Sequence, residues 1–488
     1  MSDERLPTSS LYIDGALRPA AGGLTYDNTA PATGRLIGHA ADAGAADVEA
    51  AIAAARRAFD ASAWPVDLEG RLGALERLHA RLVAHGAENR RRVSAETGAP
   101  IGLTASYQYD LPVEFIPWVV AHARGYAFER DLGVLNSMGS PTRRLVFKEP
   151  AGVVAAITPW NAPVQINLAK IVWALAAGCT VVLKAAPDTP WSAALIGEAA
   201  AEAELPAGVL NIVTSGDKSS AGEQLVADPR IDVVSFTGST ATGRRIGAVA
   251  AQTIKKVFLE LGGKSANLIL DDADFATALY GSLGVCFHAG QGCSIATRTL
   301  LPRSRYEEGI SIIKTIFEGV QYGNPDDPSQ FMGPVISEAQ RTRVLDYIRI
   351  GTEEGARLVT GGGKPSNPGE GFYIQPTLFA DVGNDMRIAR EEIFGPVMVA
   401  IPYEDEQDAI RIANDSIYGL GGNVLGGDPA RALRVARRLR TGTVNVNFGN
   451  VFGADSPFGG YKQSGNGREM GAEGFEEFLE TKVIGVPA

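Results

Sequence analysis

The sequence predicts an α/β protein organised around a doubly wound parallel sheet, and three observations lead there. At 488 residues the chain exceeds one ordinary hydrophobic core, so two or three domains are expected. From residue 151 onward, short β-rich runs alternate with helical stretches. Those runs (Val153 to Ile157, Val181 to Leu183, Val209 to Val213, Val233 to Phe236, Val257 to Leu259) are almost continuously apolar, as strands buried on both faces must be.

Ahead of the sheet, Val48, Ile52, Ala55 and Phe59, then Leu72, Leu75, Leu78 and Leu82, recur at helical spacing and mark two core-facing stripes. Residues 131 to 149 hold a Gly139-Ser140-Pro141 turn between Leu132 to Leu135 and Leu145-Val146-Phe147. This predicts a projecting hairpin whose packing partners come from another subunit. A second α/β unit follows over 261 to 440. One of its late helices is delimited by Asp428 as N-cap, Pro429 at the first helical position and Gly442 just past the end. There is no internal repeat and no low-complexity tract.

Hydrophobic residues at 45% and charged ones at 21% are globular values, and a net charge of −11 argues against a nucleic-acid partner. The basic run Arg90-Arg91-Arg92 reads as a solvated helix face. Three cysteines, irregularly spaced, suit neither a disulfide framework nor a zinc site, so no metal is expected and the compartment is read as reducing. The start, Met1 to Arg5, is polar where a signal peptide is basic and then apolar. The longest apolar stretch, Ile171 to Leu183, falls short of the roughly 18 residues of a membrane span. The expectation is a soluble, cytoplasmic protein with no membrane partner.

Chemistry concentrates at Cys293, in Phe287-His288-Ala289-Gly290-Gln291-Gly292-Cys293, and at Glu260, 33 residues upstream. A soft nucleophile and a carboxylate can trap a carbonyl on sulfur and release it with activated water. Asn161 follows the first sheet strand, held between Pro159 and Pro163 at the carboxyl edge where such sheets bind ligands. It reads either as an oxyanion donor or as a helix cap. Thr237-Gly238-Ser239, with Gly243 beyond, makes a strand–turn–helix that can present N–H groups to a phosphate. It meets neither the GxGxxG nor the GK[ST] pattern, so a plain connection is an equal reading. Cys179 and Cys286 read as small buried hydrophobes. His288 invites a Cys-His hydrolase reading, but no hydrolase signature accompanies it.

Together these motifs resemble the aldehyde dehydrogenase superfamily. Pro159-Trp160-Asn161, Phe236-Thr237-Gly238-Ser239, Glu260-Leu261-Gly262-Gly263-Lys264, Gly290-Gln291-Gly292-Cys293, Glu391-Glu392-Ile393-Phe394-Gly395-Pro396 and Ser456-Pro457-Phe458-Gly459-Gly460 occur in that family's order over nearly the whole chain. The resemblance implies a Rossmann-type cofactor domain (1–130 and 151–260), an α/β catalytic domain (261–445) and a small oligomerisation segment (131–150 and 470–488) of a homodimer or homotetramer. It implies Cys293 as nucleophile, Glu260 as base for hydrolysis, Asn161 with the Cys293 N–H as oxyanion hole, and Lys170 on a proton path. Lys184 would hold the adenosine ribose, Ser239 with Gly238 the pyrophosphate, and Glu392 the nicotinamide ribose, with Trp160 and Phe394 alongside.

The expected cofactor is NAD. NADP stays open, because Pro187 stands where relatives commonly carry a ribose-binding glutamate, with Asp188 a partial substitute. The matched pocket positions are aromatic at Phe287, Phe452 and Phe458 and small at Ala162, Ala169 and Gly292. They imply a wide apolar tunnel for a bulky aldehyde, aromatic or terpenoid-like. Asn445 replaces a frequent tryptophan. The competing readings are a CoA-acylating dehydrogenase, against which Glu260 argues, a non-catalytic nucleotide-binding protein of the same fold, and a cysteine hydrolase.

Overall fold

In the computed structural model, which describes residues 5–366 and 370–488, the apolar runs become parallel strands. The polar start, Met1 to Glu4, lies outside the described residues. Every residue of Val153–Ile157, Thr180–Lys184, Leu210–Val213 and Val233–Thr237 is buried, so these strands have no solvent face and must be covered on both sides. Val153, Ala155 and Ile157 enter one core with helix Ala45–Ala61. Val154 and Ala156 enter the other with helices Leu68–Ala84, Pro163–Ala177 and Pro190–Glu202. The two stripes of the early helices are the surfaces that do the covering: Val48, Ile52 and Ala55 are buried with Phe59 half-buried, as are all four leucines of the second.

Strand order across this sheet is Leu210–Val213, Thr180–Lys184, Val153–Ile157, Val233–Thr237, Lys256–Glu260. The order reverses at Val153–Ile157, the position where open α/β sheets form a ligand crevice. Parallel register pairs Phe236 with Ile157 and Thr237 with Glu260, so Asn161, Ser239 and Glu260 leave the sheet at the same edge. Antiparallel strands Leu11–Ile13 and Ala16–Arg18 extend one side and Gly465–Asn466 the other. Two or three residues are too few to show alternation, which is why the sequence does not announce them.

The second unit has its own sheet, ordered Arg357–Thr360, Thr377–Ala380, Val397–Tyr403, Arg298–Pro302, Ala266–Ile269, Gly422–Leu425, Asn445–Val446, and its own hydrophobic core. Its helix Pro429–Ala436 is capped by Asp428, whose Oδ1 accepts from the Ala430 N–H at 2.9 Å. The helix ends at Ala436, so Gly442 is not its C-terminal cap. A Cβ on Gly442 would stand 1.5 Å from the carbonyl oxygen of Gly459; the glycine is there because two backbones touch.

Strands Glu129–Ser137 and Ser140–Pro150 form the expected hairpin, but the turn is Met138-Gly139, with φ of 54° and 84°. That pair of left-handed residues matches strand twist, and Ser140-Pro141 already belongs to the second strand. Leu479–Pro487 pairs antiparallel along Ser140–Pro150. Met470, Phe475 and Phe478 pack into the first core. Among the described residues no helix is long and apolar enough to cross a membrane.

Gly442→Ala is expected to destabilise the fold by about 2–3 kcal/mol, since the obstacle is backbone and cannot rotate away. A thermal melt reads this as a lowered Tm; an unchanged Tm would mean the two segments separate freely.

Candidate active site

Cys293 ends a stretch that is helical only as far as Cys286. Phe287 turns extended, and His288, Ala289 and Gly290 take φ of 47°, 52° and 74°. Consecutive left-handed residues are strained and persist only where surroundings hold them. Here Gln291 does the holding: its Nε2 donates to His288 O at 3.0 Å and its Oε1 accepts from the Ile336 N–H at 2.8 Å. A Cβ on Gly290 would lie 2.1 Å from Gly395 O, and one on Gly292 would meet Ile295 Cδ1 at 2.8 Å. Gly292 is thus small to admit the loop's own Ile295.

Glu260 is the last residue of strand Lys256–Glu260. Just beyond it, a Cβ on Gly263 would stand 2.2 Å from Cys293 O, so the two motifs 33 residues apart are in backbone contact. Glu260 is 4% exposed, and the Gly460 N–H is the one donor that acts on its carboxylate, weakly, among the described residues. A buried carboxylate so poorly supplied with donors is costly, which points to a functional position. Burial first, then the negative charge of Glu469, lifts its pKa well above the carboxylate range, opposed by Lys170 and Arg468. The half-buried Cys293 thiol is likewise pushed up by burial and then by Glu260, Glu392 and Glu469.

Lys170, fully buried on helix Pro163–Ala177, pairs with Glu469 and donates to Ser235 Oγ at 2.8 Å. Thr237 Oγ1 donates to Glu469 Oε1 at 3.4 Å. Asn161 is buried beside the loop: its Nδ2 donates to Gln291 O at 3.1 Å, and Gln108 Nε2 donates to its carbonyl at 2.8 Å. The following helix is capped at Ala162 with no side-chain bond, so Asn161 is not a helix cap. His288 is buried, and desolvation pushes it down to about 4, against a hydrogen bond with the Asn161 backbone. Its burial makes it a weak acceptor for a thiol proton. Cys179 and Cys286 are fully buried, with burial pushing both thiols up to about 12.

At the same sheet edge, Ser239 Oγ accepts from the Thr242 N–H at 3.2 Å and starts helix Thr240–Ala250, with Gly238 in the turn donating its N–H to Glu260 O at 2.9 Å. Lys184 ends its strand buried, held down to about 8 by desolvation, and its ammonium makes no ion pair or hydrogen bond to a described residue. Half-buried Asp188 lies within its electrostatic reach, while the carbonyls of Pro187 and Asp188 accept from Tyr26 OH at 3.1 Å and Asn28 Nδ2 at 3.0 Å. Glu392 Oε1 accepts from the Gly263 N–H at 2.9 Å, and burial pushes its carboxyl up to about 7. Phe394, at φ 63°, meets Trp160 edge-on with ring centroids 5.4 Å apart.

Of the pocket positions, Phe287 and Phe452 are joined through Tyr107, whose ring lies 6.3 Å and 5.1 Å from theirs. Phe458 and Ala169 pack in the same first core as Phe452, and Ala162 is buried at the start of the helix carrying Ala169. Asn445 now has a reason. Its Nδ2 donates to Asn423 Oδ1 at 3.1 Å and its Oδ1 accepts from the Val451 N–H at 3.2 Å, tethering the loop that carries Phe452. A tryptophan has no acceptor for that N–H.

A model of the aldehyde dehydrogenase family matches residues 18–484. The chain belongs to this family. It is an enzyme that oxidises an aldehyde. It is 43% identical over 483 residues, 97% of each chain, to a 3-succinoylsemialdehyde-pyridine dehydrogenase of a Pseudomonas species. It is 42% identical over 455 residues, 93% of each, to a geranial dehydrogenase of Castellaniella defragrans. A mutant of aldehyde dehydrogenase C from Pseudomonas syringae, solved with NAD+ and octanal, superposes with a TM-score of 0.92 at 40% identity, covering 98% of this chain and 96% of that one.

Sequence reasoning missed Glu469, Tyr107, Gln108 and the bracing role of Gln291. Glu469 lies 299 residues from Lys170 and sits in no pattern that marks it. Glu469→Gln removes the negative charge that, after burial, raises the Glu260 pKa, and leaves Lys170, which lowers it. The acid limb of the kcat–pH profile is therefore expected to move to lower pH; a limb that stays or moves up would show that Glu469 does not set it.

Proposed function

We propose that the enzyme converts a bulky apolar aldehyde to its carboxylic acid through a thioester on Cys293, with NAD as electron acceptor. The observation that carries this is Glu260: a buried carboxylate poorly supplied with donors, brought to the nucleophile by the contact between Gly263 and Cys293 O.

Sulfur attacks the aldehyde carbon, forming a C–S bond and leaving negative charge on oxygen. The thiol gives up its proton to solvent, which reaches the half-buried Cys293, and this leaves Glu260 free for the later step. The Asn161 amide has two N–H protons; one is spent on Gln291 O, which fixes the plane and leaves the other for the oxyanion. Loss of hydride turns the adduct into a thioester, and NAD+, when bound, supplies the acceptor for that hydride. Glu260 then takes a proton from water, whose oxygen attacks the thioester carbon, and the C–S bond breaks to release the acid and leave Cys293 as the thiolate. Glu469 and Lys170, buried next to Glu260, give that proton a route onward.

Lys184 and Glu392 are suited to two ribose groups, one a donor without an acceptor and the other a carboxylate with a second oxygen to offer. The N-terminus of helix Thr240–Ala250, with Gly238 and Ser239, suits the pyrophosphate between them. Asp188, beside Lys184, supplies negative charge where Pro187 cannot, and the NAD+ complex of the Pseudomonas syringae enzyme supports the same choice. Phe287, Phe452 and Phe458 with Ala162 and Ala169 favour a bulky apolar substrate, in keeping with relatives named for geranial and for a pyridine semialdehyde. The sheet of Glu129–Ser137, Ser140–Pro150 and Leu479–Pro487 exposes Leu132, Val134, Val483 and Ile484, and we assign this face to contact between subunits of a dimer or tetramer.

In Glu260→Gln, a burst of reduced cofactor near one per active site is expected to survive in rapid mixing, while steady-state turnover falls about 100-fold or more. Full turnover in this variant would remove Glu260 from the hydrolytic step.

A further inference from the structure

Tyr107 has no part in the chemistry above, yet its placement is unusual. It sits in a π-helical turn, Thr104–Gln108, where Ser106 takes φ −145° and ψ −106°. Such turns are commonly retained for the side chain they aim. The two residues that follow it are held: Gln108 Nε2 donates to Asn161 O at 2.8 Å, and Tyr109 OH donates to Leu82 O at 2.7 Å. Tyr107 thus stands one residue from a tie to Asn161 and two from a tie to the first core.

Its ring stands 49° from Phe452 and 69° from Phe287, so three aromatic side chains converge. Its hydroxyl lies within electrostatic reach of Cys293 and Glu469, and burial keeps it protonated, a donor at any working pH. Tyr26, Tyr109, Tyr306, Tyr373 and Tyr403 each donate to a protein oxygen. The Tyr107 hydroxyl makes no hydrogen bond to any described residue. A half-buried phenol without a protein partner is open to a ligand, and its reach to Cys293 sets it on the side of the site where an aldehyde reacts.

We propose that Tyr107 sets substrate choice: with Phe287 and Phe452 it forms an aromatic slot in front of Cys293, and its hydroxyl donates to an oxygen or nitrogen acceptor carried by the substrate near its aldehyde group. The substrate class is therefore a planar aldehyde, aryl or conjugated, bearing an acceptor, rather than a plain hydrocarbon aldehyde. Flat groups suit tilted aromatic walls, and a site built around a donor discriminates against analogues that leave it unpaired. This deepens the aldehyde-oxidising reading and rests on it.

The test compares kcat/KM with NAD+ for benzaldehyde, hexanal, the three pyridinecarboxaldehydes and the three methoxybenzaldehydes, in the wild type and in Tyr107→Phe. In the wild type, one acceptor-bearing isomer is expected to exceed benzaldehyde by about tenfold, the worth of one neutral hydrogen bond. In Tyr107→Phe that ratio falls to near one while benzaldehyde itself changes less than about twofold, the loss appearing mainly in KM. Tyr107→Ala removes the wall as well and lowers benzaldehyde relative to hexanal. No preferred isomer in the wild type, or a preference that survives in Tyr107→Phe, overturns the proposal. So does an equal fall in kcat for every aldehyde, which would make the hydroxyl part of the reaction. Absence of any aldehyde oxidation in the wild type would instead refute the underlying reading.

Discussion

The site depends on a contact that leaves no room for a side chain. Gly263 approaches the carbonyl of Cys293 so closely that a Cβ would stand 2.2 Å from it, and Gly290 approaches Gly395 O in the same way. These contacts press the loop ending in Cys293 against the end of strand Lys256–Glu260 on one side and the segment after Glu392 on the other. Glu260, from the first unit, thus meets Cys293 and Glu392, from the second, through backbone packing, with the hydrogen bond from the Gly263 N–H to Glu392 across the junction. Such packing is stiff, and stiffness keeps reacting groups at fixed separations.

The second constraint is electrostatic. Glu260, Glu392 and Glu469 all bear on one thiol, and Lys170 is the buried cation set against them. With three carboxylates in a dry environment, full ionisation is unfavourable, so Glu260 and Cys293 give up their protons less readily than isolated groups do. The same crowding means that no single pKa belongs to one residue; altering any member shifts the others.

What the sequence made legible is what glycine and proline punctuation mark. Gly262-Gly263, Gly290 and Gly292, Gly459-Gly460 and the pair Pro159 and Pro163 all flank site residues, because close backbone approach and fixed turns leave compositional traces. Continuous apolar strands were equally visible. Glu469 and Tyr107 were not, since a lone acid and a lone tyrosine carry no pattern and acquire meaning only when distant segments meet. Gly442 was misread as a helix end because a glycine near a helix terminus and a glycine at a backbone crossing look alike in one dimension. Asn445 was a bare departure from the family until its tether to Val451 came into view, and the edge strands were too short to register.

The central claim is that Cys293 alone, of three cysteines, carries the acyl group. Mixing the wild-type enzyme with NAD+ and an oxidisable aldehyde, quenching in acid during turnover and analysing peptides by mass spectrometry tests it directly. The account predicts the mass of the acyl group on the peptide containing Cys293, absent when NAD+ is omitted, with Cys179 and Cys286 unmodified. Acylation at either of those cysteines, or none at Cys293 while acid is being produced, would contradict it.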